Sequence, residues 1–263
     1  MTIHQNAPVI VVAMPSEMRQ ALDQVDSPER HPLGPWVRWS GRLDGQPINL
    51  VLSGIGMVNA GSSLARCLAD LKPSMVLNYG CAGAHRADMN PGDVVIGTRY
   101  VHHRAVIITA SGEETPIGAA VSPEQSSRFV DAFEADPSLL AAARSAVLDW
   151  RPDRWPWATT SEAPVVHAGP LTSADTWTQQ TSLLENIHTL HGTFCEDMEA
   201  AALAQVASMH DLPFLAIKDI SNNEFHSATI QDAAGAPTLD DVADEVGRRA
   251  FALLRRTMAQ LSS

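Results

Sequence analysis

The stretch from residue 195 to 223 constrains the fold most tightly. Residues 214–220 (Phe-Leu-Ala-Ile-Lys-Asp-Ile) form a short, mainly apolar run of strand length that stops at Ser221-Asn222-Asn223. Ahead of it, Met198, Ala201, Ala202, Leu203, Val206 and Ala207 recur at helical spacing, and Asp211-Leu212-Pro213 ends the pattern. Glu196, Asp197 and Glu199 fall in the expected first turn, where a helix dipole favours negative charge. In open α/β sheets ligands bind beyond the carboxyl ends of the strands. An acid at this helix start and an amide at this strand tip are therefore placed to face one pocket.

The rest of the chain repeats the alternation. Residues 8–14 (Pro-Val-Ile-Val-Val-Ala-Met) are a continuous β-branched run suited to a buried strand, and Met18, Ala21, Leu22 and Val25 continue as a helix with Ser16 as its cap. Glu17 thus lies at a strand-to-helix switch, where it serves either the helix dipole or a site. Residues 36–39 and 48–52 read as paired strands joined through Gly41 and Asp44-Gly45. Ser53-Gly54-Ile55-Gly56 then opens a helix to about residue 70. Residues 74–79 form a strand ending in a turn, Gly80-Cys81-Ala82-Gly83, and residues 91–96 a turn and strand that Tyr100 to Arg104 continue. Residues 111–123 read as a loop and 132–148 as a helix. Residues 151–157, with three tryptophans between Trp150 and Trp157, read as an ordered loop packed on the body or on a partner subunit. Residues 164–169 are strand-like, a helical pattern surrounds 183–190, a loop follows His226, and a last helix spans 239–261. No repeat or linker divides the chain. The expectation is a single α/β domain over residues 1–263, three layers α/β/α around a mixed, mostly parallel sheet.

Composition removes several function classes. Net charge is −12 with no block of Lys or Arg, which argues against nucleic acid and acidic membrane surfaces as partners. No apolar stretch approaches the ~20 residues of a membrane span, and the N-terminus lacks a secretory pattern. Cys67, Cys81 and Cys195 have no ligand or disulfide spacing, so reduced cysteines in a cytoplasmic protein are expected. Gly54-Ile55-Gly56 lacks the third glycine and the later acid of a dinucleotide site. His102 and His103 are adjacent in a strand, point to opposite faces and share no ligand spacing with a third residue. No metal and no cofactor is expected, and a small neutral or weakly charged ligand fits best.

Six ordered segments carry a resemblance to the nucleoside phosphorylase and nucleosidase superfamily, especially its methylthioadenosine/S-adenosylhomocysteine nucleosidases. Residues 13–18 (Ala-Met-Pro-Ser-Glu-Met) resemble the family's start, which implies that Glu17 positions the attacking water. Residues 197–200 (Asp-Met-Glu-Ala) resemble its Met-Glu motif, which implies that Glu199 holds the ribose hydroxyls and Met198 packs under the sugar. Residues 53–56 (Ser53, Gly54, Ile55, Gly56) and the turn with Cys81, Ala82 and Gly83 are similar to its pocket-lining segments. Residues 171–177 resemble the segment whose aromatic stacks on the purine, which implies that role for Trp177. Ile220-Ser221-Asn222 resembles the family's Ile-Ser-Asp, but Asn222 stands where the acid at purine N7 belongs.

That substitution orders the readings. An amide has no proton to give, but it accepts from N7–H and donates to a 6-oxo group. The leading expectation is a hydrolase of a 6-oxopurine or 5′-modified nucleoside, with Glu17, Glu199 and Asn222 as its catalytic residues. An adenine-type nucleosidase using Asp219 or water as proton source, a phosphorylase, and a binding protein without turnover remain open. The resemblance implies that Asn78 stands where bacterial hexameric phosphorylases carry a phosphate-binding Arg, which favours water as acceptor, while Arg86 and Arg104 lie nearby and could compensate. The resemblance also implies a homodimer or larger homo-oligomer.

Overall fold

The computed structural model describes residues 4–122, 128–158, 161–226 and 239–261. In chain order the elements are β1 (Val9–Val12), α1 (Pro15–Leu22), β2 (Asp26–Leu33), β3 (Trp36–Leu43), β4 (Gln46–Leu52), α2 (Met57–Leu68), β5 (Val76–Ala84), β6 (Val94–His102), β7 (Val106–Ile108), β8 (Glu114–Pro116), β9 (Ala119–Ser122), β10 (Arg128–Val130), β11 (Phe133–Glu134), α3 (Pro137–Ala146), β12 (Val166–Ser173), α4 (Thr181–His191), β13 (Cys195–Asp197), α5 (Ala200–Met209), β14 (Phe214–Asn222), α6 (Leu239–Ala243) and α7 (Arg248–Gln260).

One ten-stranded mixed sheet organises the molecule, in the order β11-β6-β12-β13-β5-β1-β4-β3-β2, with β14 paired to both β5 and β6. The pairings β5–β14–β6–β12–β13–β5 close a ring, so part of the sheet curls into a small barrel. Parallel ladders join β4, β1, β5 and β14, and β6, β12 and β13. The apolar runs explain the centre: β1 is buried throughout, and so is every residue of β14. Helix α7 packs on β5, β14 and α3, while α5 packs on α2 and on the barrel strands. No helix among the described residues is long and apolar enough to cross a membrane.

Several expected boundaries change. Cys195–Asp197 is a strand, and α5 begins only at Ala200, so Glu196 and Asp197 are not first-turn helix acids. Antiparallel pairing of Cys195 and Glu196 with Ala84 and Gly83 holds that segment extended. Residues 80–83 are no turn: β5 runs on to Ala84 because β14 and β13 pair with it on either side. Helix α1 is preceded by Met14 as N-cap, not Ser16, with Pro15 in the first turn. Strand β2 escaped the pattern because it is charged, mostly exposed and carries Pro28 and Pro32, which an edge strand tolerates. The expected helix at 132–148 begins at Pro137, where Asp136 accepts from the Ser138 and Leu139 amides, and Phe133–Glu134 pairs with β6 instead. The expected loop at 111–123 contains short strands pairing with β7 and β10, and its last residue lies outside the described ones. The final helix is broken into α6 and α7 around Gly247. The loop expected after His226 lies outside the described residues up to 238.

The tryptophan-rich insertion packs on the body. Trp155 is buried with Val242 and Val246 in a small cluster that touches Met14 and Cys81. Its ring meets Trp157 edge-on at 5.6 Å, and the Arg249 guanidinium lies 5.0 Å from its centroid. Arg249 also donates to the Asp153 and Arg154 carbonyls (2.6 and 3.0 Å), tying the loop to the start of α7.

Candidate active site

A cavity of about 350 Å³ opens at the carboxyl ends of β1 and β14. Ala13, Met14 and Glu17 follow β1; Cys81, Ala82 and Gly83 come from β5; Glu196 to Glu199 form the β13–α5 corner; Ser221 and Asn222 end β14. Ile55, Thr176, Trp177 and three residues around α6, Val242, Ala243 and Val246, complete the wall.

Glu17 is 2 % exposed and held at both oxygens. Oε2 accepts from the Met14 amide (3.1 Å) and Oε1 from the Cys81 amide (3.0 Å), which fastens the carboxylate between β1 and β5. Tyr79 reinforces the position by donating its hydroxyl to the Glu17 carbonyl at 2.7 Å. Burial pushes the carboxyl up from 4.5 to about 7, against the Lys218 charge and the two amide donors. A carboxyl that exchanges its proton near neutrality has the property a general base needs.

Glu199 is the N-cap residue of α5, and its Oε1 accepts from the Gly56 amide at 2.9 Å. Gly56 has φ +101°, and a Cβ there would lie 2.8 Å from Asp175 Oδ1, so this donor requires a glycine. Burial, and then the Asp197 charge, raise Glu199 from 4.5 to about 7, with Lys218 opposing. Asp197 and Lys218 form a buried ion pair at 2.8 Å beneath the two glutamates. Asp197 also accepts from the Ser173 hydroxyl and from the Ala200 amide that opens α5. Burial works against the Lys218 charge, but Asp197, Glu199 and Glu17 outweigh it and hold the ammonium above its ordinary range. A lysine in an otherwise apolar strand was the sequence signal for this counter-ion, and its role was not read from it.

Ser221 and Asn222 are consecutive, yet both line the cavity. A register shift between Ile220 and Asn222 in the β5–β14 ladder breaks the alternation and turns both side chains the same way. Asn222 Oδ1 accepts from the Ser221 hydroxyl (2.8 Å), and Nδ2 donates to Glu224 Oε1 (3.0 Å). One N–H and one lone pair of the amide are left over from these two bonds.

Asp219 faces the other way. Its carboxylate accepts from the Gly247 and Arg249 amides at 2.8 and 3.2 Å, capping the N-terminus of α7. Burial raises it to about 6 despite those donors. Gly247 in turn packs against Glu17: at φ +79°, an added Cβ would lie 3.0 Å from Glu17 Cγ. Gly247→Ala is therefore expected to destabilise the fold by about 1–3 kcal/mol, from left-handed strain and overpacking, and to lower kcat by displacing Glu17. Thermal melts and initial rates test both; a normal kcat in a destabilised variant would show that Glu17 tolerates the shift.

The other expected site residues are distributed as follows. Trp177 borders the cavity with 52 % of its surface exposed. Met198 and Ile55 line the wall. Gly56 enters through its amide, whereas the Ser53 hydroxyl donates to the Val12 and Gly54 carbonyls and neither Ser53 nor Gly54 borders the cavity. Asn78 is buried inside the sheet, donating to the Val11 carbonyl at 2.9 Å. Arg86 pairs with Asp88 and lies over the Phe194 ring, and Arg104 pairs with Glu114. His103 is buried, and neither it nor His102 lines the cavity. Among the described residues no group of three or more His, Cys, Asp or Glu could hold a metal ion. Glu196 and the α6 wall carried no sequence signal that separated them from surface residues.

This geometry has known counterparts. The chain is 28 % identical over 253 residues to a 5′-methylthioadenosine/S-adenosylhomocysteine nucleosidase of Desulfotalea psychrophila, covering 96 % of this chain and 97 % of that protein. The nucleosidase of the same name from Neisseria meningitidis, solved with methylthio-immucillin-A, superposes with a TM-score of 0.72 at 26 % identity over 98 % of both chains. The fold is shared too with the futalosine hydrolase of Helicobacter pylori, at a TM-score of 0.76 and 21 % identity over 97 % of this chain and 98 % of that one. The sequence profile of the phosphorylase superfamily matches residues 8–259, nearly the whole length over which these strands and carboxylates are laid out, and the chain belongs to that superfamily.

Proposed function

We propose that the chain hydrolyses the N-glycosidic bond of a purine nucleoside, with a 6-oxopurine as the base. The observation that carries hydrolysis is the charge of the cavity wall. Among the described residues it presents Glu17, Glu196, Asp197 and Glu199 and no Arg or Lys. A phosphate dianion needs charge-assisted donors and would meet carboxylates there, whereas water makes no such demand. The same carboxylates favour the cationic sugar of an oxocarbenium-like transition state.

In this reading the purine stacks on Trp177, the sugar lies over Met198, and Glu199 accepts from the ribose hydroxyls. Water attacks the anomeric carbon and gives its proton to Glu17, while the bonding pair of the breaking C–N bond leaves with the purine. Asn222 has no proton to supply, so a second water gives the proton that completes the base, and the hydroxide it leaves takes up the proton held by Glu17. The free lone pair of the amide then accepts from N7–H, and its free N–H donates to the 6-oxo group. The names of the curated relatives favour a second reading, an adenine nucleosidase acting on a 5′-thio nucleoside. Ile55 and Val58, 52 and 75 % exposed where α2 begins beside the cavity, support assembly as a homo-oligomer, which light scattering would test.

The direct test is product analysis after incubation with inosine, futalosine, adenosine, methylthioadenosine and adenosylhomocysteine, with and without phosphate. Free base from the 6-oxo substrates without phosphate is expected; release only with phosphate would overturn the hydrolase. Asn222→Asp separates the two base readings. It restores an acid at N7 and is expected to move preference from 6-oxo to 6-amino purines, gaining about 10²–10⁴ in rate on the latter. An unchanged preference would remove Asn222 from base selection.

A further inference from the structure

Glu17 is supported from a side that its own hydrogen bonds do not explain. The Met14 and Cys81 amides hold its two oxygens, but the side chain is also packed between two glycines. A Cβ added at Gly80 would come within 2.7 Å of Oε1, and one added at Gly247 would lie 3.0 Å from Cγ. Gly80 is fixed by the ladders of β5. Gly247 stands outside the sheet, at the corner between α6 and α7. The first turn of α7 meets Glu17 a second time through Phe251. Its ring lies 4.9 Å from that of Tyr79, the residue whose hydroxyl donates to the Glu17 carbonyl at 2.7 Å.

Three ties hold this corner. Asp219 reaches it from β14, fully buried, and accepts from the Gly247 and Arg249 amides at 2.8 and 3.2 Å. Gln20, one turn after Glu17 on α1, donates to the Asp244 and Val246 carbonyls at 3.0 and 3.1 Å. The tryptophan-rich insertion supplies the third tie through Arg249, whose side chain is 1 % exposed. Its guanidinium donates to the Asp153 and Arg154 carbonyls and to Glu245 Oε2, and lies against Trp155. A buried charge is costly unless its hydrogen bonds are made. Here a buried carboxylate and a buried guanidinium both spend theirs on fastening residues 247–249, the stretch that touches Glu17.

We propose that Asp219 and Arg249 are positioning residues that latch the α6–α7 corner, so that Gly247 packs on Glu17 and keeps water from its side chain. This deepens the hydrolase reading and rests on it for what Glu17 does in turnover. The ionisable groups around Glu17 are Lys218 and Asp219 on β14, Glu199 at the start of α5, and Tyr79 and Cys81 on β5, with Arg249 behind Asp219 on α7. Loosening the latch lets water reach the carboxyl and weakens the burial that raises it. Replacing Asp219 by an amide also removes a negative neighbour, while Lys218 stays. Both changes move the Glu17 titration down from about 7 towards 4.5. A weaker and less well placed base lowers kcat more than it raises KM.

The test is a carboxyl NMR titration of the full chain labelled with 13C at glutamate, the Glu17 signal being the one lost in Glu17→Gln. The Glu17 midpoint is expected to fall by about one pH unit in Asp219→Asn. Arg249→Lys keeps the charge but not the planar fork that bonds two carbonyls and a carboxylate, and is expected to lower the midpoint by about half a unit. With inosine, kcat of Asp219→Asn is expected to fall about tenfold while KM stays within about threefold. The same substitution made in Glu17→Gln is expected to change kcat less than about twofold, because the two residues act as one unit. A role in folding alone would lower the melting temperature of both variants and leave the midpoint where it is, and that result overturns the proposal. If Asp219→Asn does not fold, the Arg249→Lys midpoint decides by itself. Base release with an unmoved midpoint sinks the latch and leaves the hydrolase. A lowered midpoint without base release from any nucleoside sinks the hydrolase and leaves the latch.

Discussion

Replacing Glu17 by Gln is expected to lower kcat by about 10²–10⁴, the usual contribution of a positioned general base, and to flatten the dependence of stability on pH. The amide keeps the size of the side chain but cannot take a proton from water. In the wild type the carboxyl titrates at about 7, so activity is expected to fall as pH drops through that value and the base becomes protonated. Stability runs the opposite way. The folded state holds this proton more tightly than the unfolded chain, whose glutamate titrates near 4.5. Between those two values the folded form binds more protons, so stability is greatest below the window and falls as pH rises through it. A shift from 4.5 to about 7 corresponds to on the order of 3 kcal/mol lost by pH 8. Glu17→Gln cannot ionise, and its part of that loss should disappear. Melts at pH 5 and pH 8 for both proteins measure it. A variant that keeps the full wild-type fall would mean that Glu17 is not the buried group responsible.

Glu199→Gln is expected to remove turnover by about 10²–10³ or more, through loss of the negative charge facing the developing cation. The Gly56 amide at 2.9 Å can still donate to the Gln carbonyl, so the corner of α5 should stay folded. The lost charge also leaves the buried Lys218 more dependent on Asp197, at 2.8 Å, for its balance. Affinity for free base should be nearly unchanged, because the base lies away from the ribose hydroxyls, whereas affinity for intact nucleoside should drop. Rate assays and calorimetry with nucleoside and base separate these effects. Retention of more than about a tenth of kcat would take Glu199 out of the ribose-binding role.

Glu17 and Lys218 show how far a one-dimensional reading reaches. Glu17 could be singled out because a β-branched run followed by Pro-Ser-Glu marks a strand-to-helix switch. Lys218 could not, since a lysine inside an apolar run looks like an interruption until Asp197 is seen opposite it, 21 positions away along the chain. Glu196 is the same case. In a string it belongs to a cluster of first-turn acids; in space an antiparallel ladder with β5 pulls it out of the helix and onto the cavity wall.

The sequence by itself determined the alternation of buried strands and amphipathic helices, the mixed α/β architecture, and several of the segments that supply the cavity, though not Glu196 or the α6 wall. Those properties follow from local periodicity and from burial of apolar runs, which neighbouring residues encode. Only the tertiary structure decided the ring closed by β14, the register shift that turns both Ser221 and Asn222 inward, and the turning of Asp219 towards α7. It also decided that Glu17 and Glu199 share one buried cation. These depend on pairings between strands distant in sequence and on the low-dielectric interior they create, and no local pattern of residue types carries that information.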